Sequence, residues 1–388
     1  MKHGKIILKV NADLVYYFVF GLYCVITTLQ NSMIGYDSAL VSILASISRY
    51  IIILGVGLKI VMRKKLKAKL FILIVAFSLI SLIIYFSSNA YLPLIIILLL
   101  VGAEGCSDQA IAKTYLLCTG SVIALSMVLS FFGIIEDRLF YRKLLGTMTV
   151  RHSHGMTYVT ILAAYLFFIS AVVIYLKKKV QLIDFAVMFL VVAFMYITMD
   201  ARLECVSLLA LGLVILLLSS WISKNAIIRN VMVYSLIIAL AISFLLIGLY
   251  MNNPGKYQAL NLLLTNRLEY SAKVISDYGF SLFGSAMKMQ GWGTVNFNKE
   301  IGYYFVDSAY LNYSLQYGLI FTIGLCIFCT YINYKLNKEN EVNLLILLTF
   351  AALHGIIMSS IFRANMNPLF VIAYAKSSSM KRNTRCLN

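Results

Sequence analysis

The stretch "RHSHGMTYVTILAAYLFFISAVVIYLKKK", residues 151–179, decides the fold. From Met156 to Leu176 it carries no charge, and lysines follow at once. A helix that crosses a hydrocarbon layer needs roughly 20 such residues. Similar runs recur along the chain, whose 388 residues are 61% hydrophobic and 12% charged, with a mean hydropathy of +0.89. The expected spans are 14–30, 39–61, 70–87, 91–103, 114–135, 156–176, 180–199, 203–221, 227–250, 308–332, 342–361 and 366–376. Lipid offers backbone groups no partner, so these runs should be helices, and the period-two alternation of a membrane β-barrel is missing. The expectation is an all-α polytopic membrane protein, one transmembrane domain over 1–388 with about 12 helices. Lys2, Lys5 and Lys9 precede the first run as in a signal peptide, but "TTLQNSMIGYD" (27–37) has no small-residue cleavage pattern. It reads as a retained helix.

A net charge of +18 would suit nucleic-acid binding, but the positions of the charges explain it otherwise. With the amino terminus inside, "RKKLKAK" (63–69), "KKK" (177–179), Lys224, Arg229, Lys335, Lys338 and the tail "KSSSMKRNTR" (376–385) all fall on the cytoplasmic side. That is the positive-inside pattern of a membrane protein, with no nucleic acid as partner. Both termini are then cytoplasmic. Two connections are long and extracellular: 136–153, and 251–307 between spans nine and ten. Long ordered loops tend to carry function. In "QALNLLLTNRLEYSAKVISDYG" (258–279), Leu260, Leu264, Leu268, Ala272, Ile275 and Tyr278 recur at helical spacing, opposite Asn261, Thr265, Glu269, Lys273 and Asp277. An amphipathic helix on the membrane surface, or one capping a cavity, is expected there. The seven cysteines (24, 106, 118, 205, 326, 329 and 386) avoid this loop, so neither a disulfide framework nor a metal cluster is expected, and no cofactor. Cys326 and Cys329 inside a span read as packing.

Ionisable groups in or beside spans are costly and point to function. Arg49 lies within a span; Arg151, Arg202 and Arg363 adjoin span ends on the outer side, and Arg267 lies on the loop helix. A guanidinium offers a planar fork of donors that matches phosphate oxygens and keeps its charge in a dry site. Arginines gathered at the outer face would hold an anion, and at that depth the diphosphate of a lipid carrier is the fitting one. His152, His154, Glu269 and Asp307 are candidate bases for a sugar hydroxyl, worth about 10²–10⁴-fold in rate. No phosphate loop or nucleophile elbow is present, which argues against ATP-driven transport and serine hydrolysis.

Several short motifs in order resemble the Wzy-type polysaccharide polymerases of the Gram-positive capsule and exopolysaccharide kind. "RHSHGMTYVT" keeps the Arg, Ser and Gly of the family's R-x-S-x-G-F-x-H-P-N as Arg151, Ser153 and Gly155, but has Tyr158, Val159 and Thr160 in place of His-Pro-Asn. "TMDARLE" is similar to the T-x-S-R-T turn and keeps Arg202. "NRLEYSAKVISDYGFSLFG" resembles the large-loop pattern and aligns Arg267 and Leu282-Phe283-Gly284; "VDSAYLNYSLQYG" supplies Asp307, Tyr310 and Gly318. The resemblance implies a metal-independent glycosyltransferase in the plasma membrane. It would join undecaprenyl-pyrophosphate-linked repeat units, of capsule, exopolysaccharide or O-antigen, at the outer face, with inversion. Its partners would be the lipid-linked donor and acceptor, membrane lipid, a flippase and a chain-length regulator. It implies Arg151, Arg202 and Arg267 as diphosphate ligands and His154 or Asp307 as base, with Arg49, His152, Tyr310 and Arg363 in support. Other readings are a lipid-linked oligosaccharide flippase or an O-antigen-ligase-like transferase. An acyltransferase would need a histidine within a span, and His354, the candidate, reads as packing.

Overall fold

The computed structural model describes residues 11–62, 68–144, 147–177 and 179–383. The basic amino terminus, most of the 63–69 cluster, Lys178 and Cys386 lie outside the described residues. The elements are α1 (Ala12–Gln30), α2 (Ala39–Met62), α3 (Ala68–Ser88), α4 (Leu92–Gly102), α5 (Asp108–Phe131), β1 (Leu139–Leu144), β2 (Thr147–His152), α6 (Val159–Leu176), α7 (Leu182–Met199) and α8 (Arg202–Lys224). They continue as α9 (Ala226–Val233), α10 (Ser235–Asn252), α11 (Gln258–Leu263), α12 (Arg267–Tyr278), α13 (Ala309–Gln316), α14 (Leu319–Lys338), α15 (Val342–His354) and α16 (Leu369–Asn383).

Among the described residues eight helices are long and apolar enough to cross a membrane: α1, α2, α5, α6, α7, α8, α10 and α14. The expected spans 70–87, 91–103 and 342–361 fall on α3, α4 and α15, where the described apolar helix is shorter, and 366–376 falls on α16. The chain is a polytopic, largely helical membrane protein. Among the described residues the departure from all-α is the antiparallel pair β1–β2 within 136–153, with Phe140 opposite Arg151 and Arg142 opposite Thr149. Outward residues such as Leu54, Ile197 and Phe86, each more than 70% exposed, suit lipid and would be a liability in water.

The opening stretch is the central helix. In α6, Leu162, Ala163, Ala164, Tyr165 and Phe168 are fully buried, as a helix apolar on all sides must be. Cys326 and Cys329 are buried free thiols, and His354 stacks flat on Phe167 at 4.8 Å, both as packing groups. At one end of the bundle Lys59 of α2 pairs with Asp13 at 3.5 Å and donates to the Gly102 carbonyl, joining α1, α2 and α4. The hairpin and the long loop lie at the opposite end.

Two features shape that loop-bearing end. Between α15 and α16 the chain runs without helix from Gly355 to Pro368, although no residue in it is exposed. Its carbonyls are met from outside and from within: Tyr115 Oη donates to Met366 (2.7 Å) and the Ala309 amide to Gly355 (2.8 Å), while the segment's own Asn367 Nδ2 donates to Ile361 (2.8 Å). Tyr310, expected near the site, is instead a buried strut whose hydroxyl donates to the Ala352 carbonyl (2.7 Å). The second feature is a clasp between Gly284 and Gly318. Both have left-handed backbones, φ +84° and +88°. A Cβ on Gly284 would meet the Gln316 carbonyl at 2.2 Å, and one on Gly318 the Leu282 carbonyl at 2.2 Å. Backbone bonds from Ser285 to Leu315 and from Leu319 to Ser281 (both 3.0 Å) close it.

Gly318→Ala should therefore lower the melting temperature of the detergent-solubilised protein. The left-handed backbone alone costs a residue with a Cβ about 1–2 kcal/mol, and the clash adds to it. Gly57→Ala, mid-helix with open space around its Cβ position, should leave the temperature unchanged or raise it. Equal melting shifts for the two would refute the clasp.

Candidate functional site

At the loop-bearing end a cavity of about 270 Å³ opens between the end of α1, the starts of α6 and α8, the loop 291–307 and the non-helical segment. The amphipathic helix expected over 258–279 is broken in two. Thr265 and Asn266 both take left-handed backbones, φ +57° and +63°. Asn tolerates this because its short side chain bonds locally. Asn261, expected on the polar outer face, is fully buried instead: its Oδ1 accepts from the Glu269 amide (3.2 Å), and its Nδ2 donates to Asn266 Oδ1 and Glu269 Oε2 (3.3 Å each). The break makes Arg267 the first residue of α12 and directs it into the cavity.

There Arg267 Nε faces Asp307 Oδ2 at 3.6 Å, and Tyr303 Oη donates to both carboxylate oxygens at 3.0 Å. Burial pushes the Asp307 carboxyl up from its usual range, against the pull of Arg267 and Tyr303. Burial opposes the charge of Arg267, but Asp307 and Glu204 outweigh it and hold its pKa above the ordinary value. Arg267 Nη1 and Arg363 Nε are buried and make no hydrogen bond among the described residues. Arg363, from the non-helical segment, lines the same cavity. Trp292 stacks on Tyr303 (5.8 Å between centroids) and on Phe297 (4.9 Å), forming an aromatic ledge at the mouth.

A buried polar hub sets the inner wall. Tyr165 Oη, on the central helix, accepts from Asn31 Nδ2 and Asn365 Nδ2, both at 2.9 Å, and lies 3.4 Å from Thr28 Oγ1. The Asn31 carbonyl accepts from the Thr157 amide (2.9 Å). The hub thus ties α1, the start of α6 and the non-helical segment together beside Arg363.

Of the expected site residues, the structure brings together Asp307, Arg267 and Arg363. Arg151 is buried behind this cavity, against Tyr158, and its Nε donates to the Met199 carbonyl (2.8 Å). Arg202 is half-exposed and bonded to Asp200 (2.6 Å), which also accepts from Arg142 and Thr149 (both 3.3 Å). Burial works against the Asp200 charge, yet these two arginines hold it below the usual carboxylate range. Arg151 and Arg202 therefore fasten hairpin and helix ends and do not line the cavity. Arg49 lines a second cavity, described below. His152 and His154 stack on each other (5.7 Å) outside the first cavity, with their own partners: His152 Nδ1 meets Asp137 Oδ2 at 2.6 Å and His154 Nε2 meets Thr198 Oγ1 at 2.8 Å. The Thr198 hydroxyl donates to the Phe194 carbonyl (2.9 Å), so Nε2 is the donor. Glu204, Tyr303, Trp292 and Asn365 were not singled out from the sequence. Glu204 lies two residues from Arg202 and Tyr303 four from Asp307, and that proximity was the only signal available.

His154 yields a pH test. Burial lowers its pKa, with Asp137 opposing and His152 reinforcing the shift. The folded histidine stays neutral where the unfolded one, with a pKa of ~6.5, takes a proton. Its contribution is whole above that pH and is lost as pH falls through ~6.5 toward the folded value. The melting temperature should drop between pH 7.5 and 5.5, and His154→Asn, which suits the left-handed backbone (φ +48°), should flatten that drop. An unchanged slope in the variant would refute the assignment. No family model, curated protein or solved structure matches this chain, so its own geometry and motifs carry the functional reading.

Proposed function

We propose that the protein is a polysaccharide polymerase of the plasma membrane, which transfers a lipid-linked glycan onto a lipid-linked repeat unit at the outer face. The observation that carries the reading is the Asp307–Arg267–Tyr303 cluster in a cavity that also receives Arg363 and an aromatic ledge. The positive-inside distribution of Lys and Arg favours an outward-facing cavity. The ordered motifs shared with Wzy-type polymerases support the same class.

In this mechanism a hydroxyl of the acceptor sugar lies against Asp307. The carboxylate takes its proton, and the oxygen forms the new bond to the donor's anomeric carbon from the face opposite the leaving group. The bond from that carbon to the diphosphate oxygen breaks, with inversion. A carboxyl raised by burial is a stronger base than a solvated one, closer to working pH. The leaving diphosphate carries its charge away itself, so guanidinium donors can replace an acid. Arg267 holds Asp307 through Nε and leaves Nη1 for the sugar beside it; Arg363, on the wall of the cavity, supplies donors for the leaving diphosphate. Trp292, 43% exposed and backed by Tyr303, is the aromatic surface available to a pyranose ring. Substrates are the undecaprenyl-diphosphate-linked donor and acceptor; a flippase and a chain-length regulator are the natural partners of such an enzyme.

Two experiments test this. In cells lacking the gene, lipid-linked single repeat units should accumulate and be open to an impermeant sugar-modifying reagent. Single units protected from the reagent would mean that flipping has failed, and the protein would then be a transporter. In a complemented strain, Asp307→Asn should cut polymer formation by about 10²-fold or more. Arg267→Lys, which keeps the charge and loses the fork, should shorten or abolish the polymer, whereas Arg202→Lys should leave it near normal. Normal polymer in Asp307→Asn, at normal expression, would remove Asp307 as the base.

A further inference from the structure

A second cavity, of about 520 Å³, lies beside the first and shares with it the wall formed by Gln30, Asn31, Arg363 and Asn365. Its charge balance is different. The first cavity sets Asp307 and Glu204 against its arginines. The second is lined by Arg49, Lys288 and Arg363, and among the described residues no Asp or Glu lines it. Arg49 is held in place without a carboxylate: Nη2 donates to Ser46 Oγ (2.6 Å), Nε to the Ala45 carbonyl (3.4 Å), and the guanidinium carbon lies 3.9 Å from the Tyr91 ring centre. Tyr91 precedes Pro93 at the start of α4, so the helix entry fixes the ring that the guanidinium stacks on.

Arg49 and Tyr91 also close one end of a third space. This groove, of about 610 Å³, lies between α2, α3 and α4. Apart from Arg49 and two serines, its lining is aliphatic or tyrosine: Ile53, Val75, Leu79, Leu82 and Leu94 are among it. Leu79, Leu82 and Ile53 remain well exposed on a helix surface suited to lipid, so the groove opens sideways. The order is thus a lateral apolar groove, Arg49 at its head, a cationic chamber, Arg363, and then the cavity with Asp307.

A single occupant matches that order: a phosphorylated lipid with its chain in the groove and its anion in the chamber. We propose that the groove and chamber form the seat of the donor's long isoprenoid diphosphate. Its diphosphate is held by Arg49, Lys288 and Arg363, and its sugar passes the Asn31–Asn365 wall toward Asp307. This rests on the polymerase reading for the identity of the lipid. Charge complementarity carries the anion, because three cations with no carboxylate among them are satisfied by a diphosphate better than by a neutral headgroup. The arrangement separates the two substrates of a glycan transfer: the donor anion on one side of Arg363, the acceptor hydroxyl on the other.

Native mass spectrometry of the purified full-length protein in detergent, titrated with undecaprenyl diphosphate, tests it without any turnover. Arg49→Gln should weaken binding by about tenfold or more, with Arg49→Lys between it and the parent. Leu79→Trp, a lipid-facing change that should fold normally, should weaken undecaprenyl diphosphate but leave geranyl diphosphate, which is too short to fill the groove, unaffected. Asp307→Asn should bind as the parent does. Unchanged binding in Arg49→Gln overturns the proposal, as does undecaprenol or phosphatidylglycerol binding as tightly as the diphosphate. Because no transfer is measured, loss of the polymerase reading would show in the cell experiments and leave this result legible on its own.

Discussion

The site depends on a constraint that lipid imposes on the backbone. A peptide group removed from water must find its partner inside the protein, and a helix is the local way to do it. The stretch from Gly355 to Pro368 gives up that solution while staying covered. It is possible because its carbonyls find other donors: the Tyr115 hydroxyl at Met366, the Ala309 backbone amide at Gly355, and, from within the stretch, the Asn367 side chain at Ile361. Non-helical backbone at such depth is tolerated where it is shielded by protein or faces a polar cavity. Here it does both: one side is packed, and the other supplies Arg363 and Asn365 to two cavities. The interruption between α15 and α16 is therefore the structural origin of the wall that the two cavities share.

The central helix enforces the same geometry from the opposite side. α6 is almost wholly apolar, yet it carries Tyr165, whose hydroxyl is the shared acceptor of Asn31 and Asn365. A polar hub inside an apolar helix fixes position more narrowly than packing does, because leaving a buried amide unpaired costs about 1–3 kcal/mol. The wall between the two cavities is set by this triad.

How much of this could be read from the sequence differs by level. The membrane class and nearly every helix followed from apolar runs, because length and hydropathy act locally. The hairpin was missed since its strands, "LFYRKL" and "TMTVRH", are short and flanked by outer-loop composition. The broken loop helix was missed because the apolar spacing continues through Thr265-Asn266, and only their left-handed backbone interrupts it. Asp307 and Arg267 were legible as charges in an outer loop, but their meeting is tertiary. The histidines drew attention by their density in "RHSHG", yet density along a chain says nothing about which cavity a side chain enters. Asp137 and Thr198, from other elements, hold them elsewhere. Asn365 could not be found at all, since a neutral side chain gains its role only from what the fold sets beside it.

The clasp of Gly284 on Gly318 has a consequence for how such a protein can change. The loop that carries Trp292, Tyr303 and Asp307 is closed at its base by a pin made of main-chain bonds and two absent side chains. None of the bonds that close the pin depends on which residues the loop carries. Substitutions along 285–307 can reshape the lining of the first cavity without touching the main-chain bonds of the pin. The architecture thus separates what the cavity presents from where it is presented, as an interchangeable head does on a fixed handle.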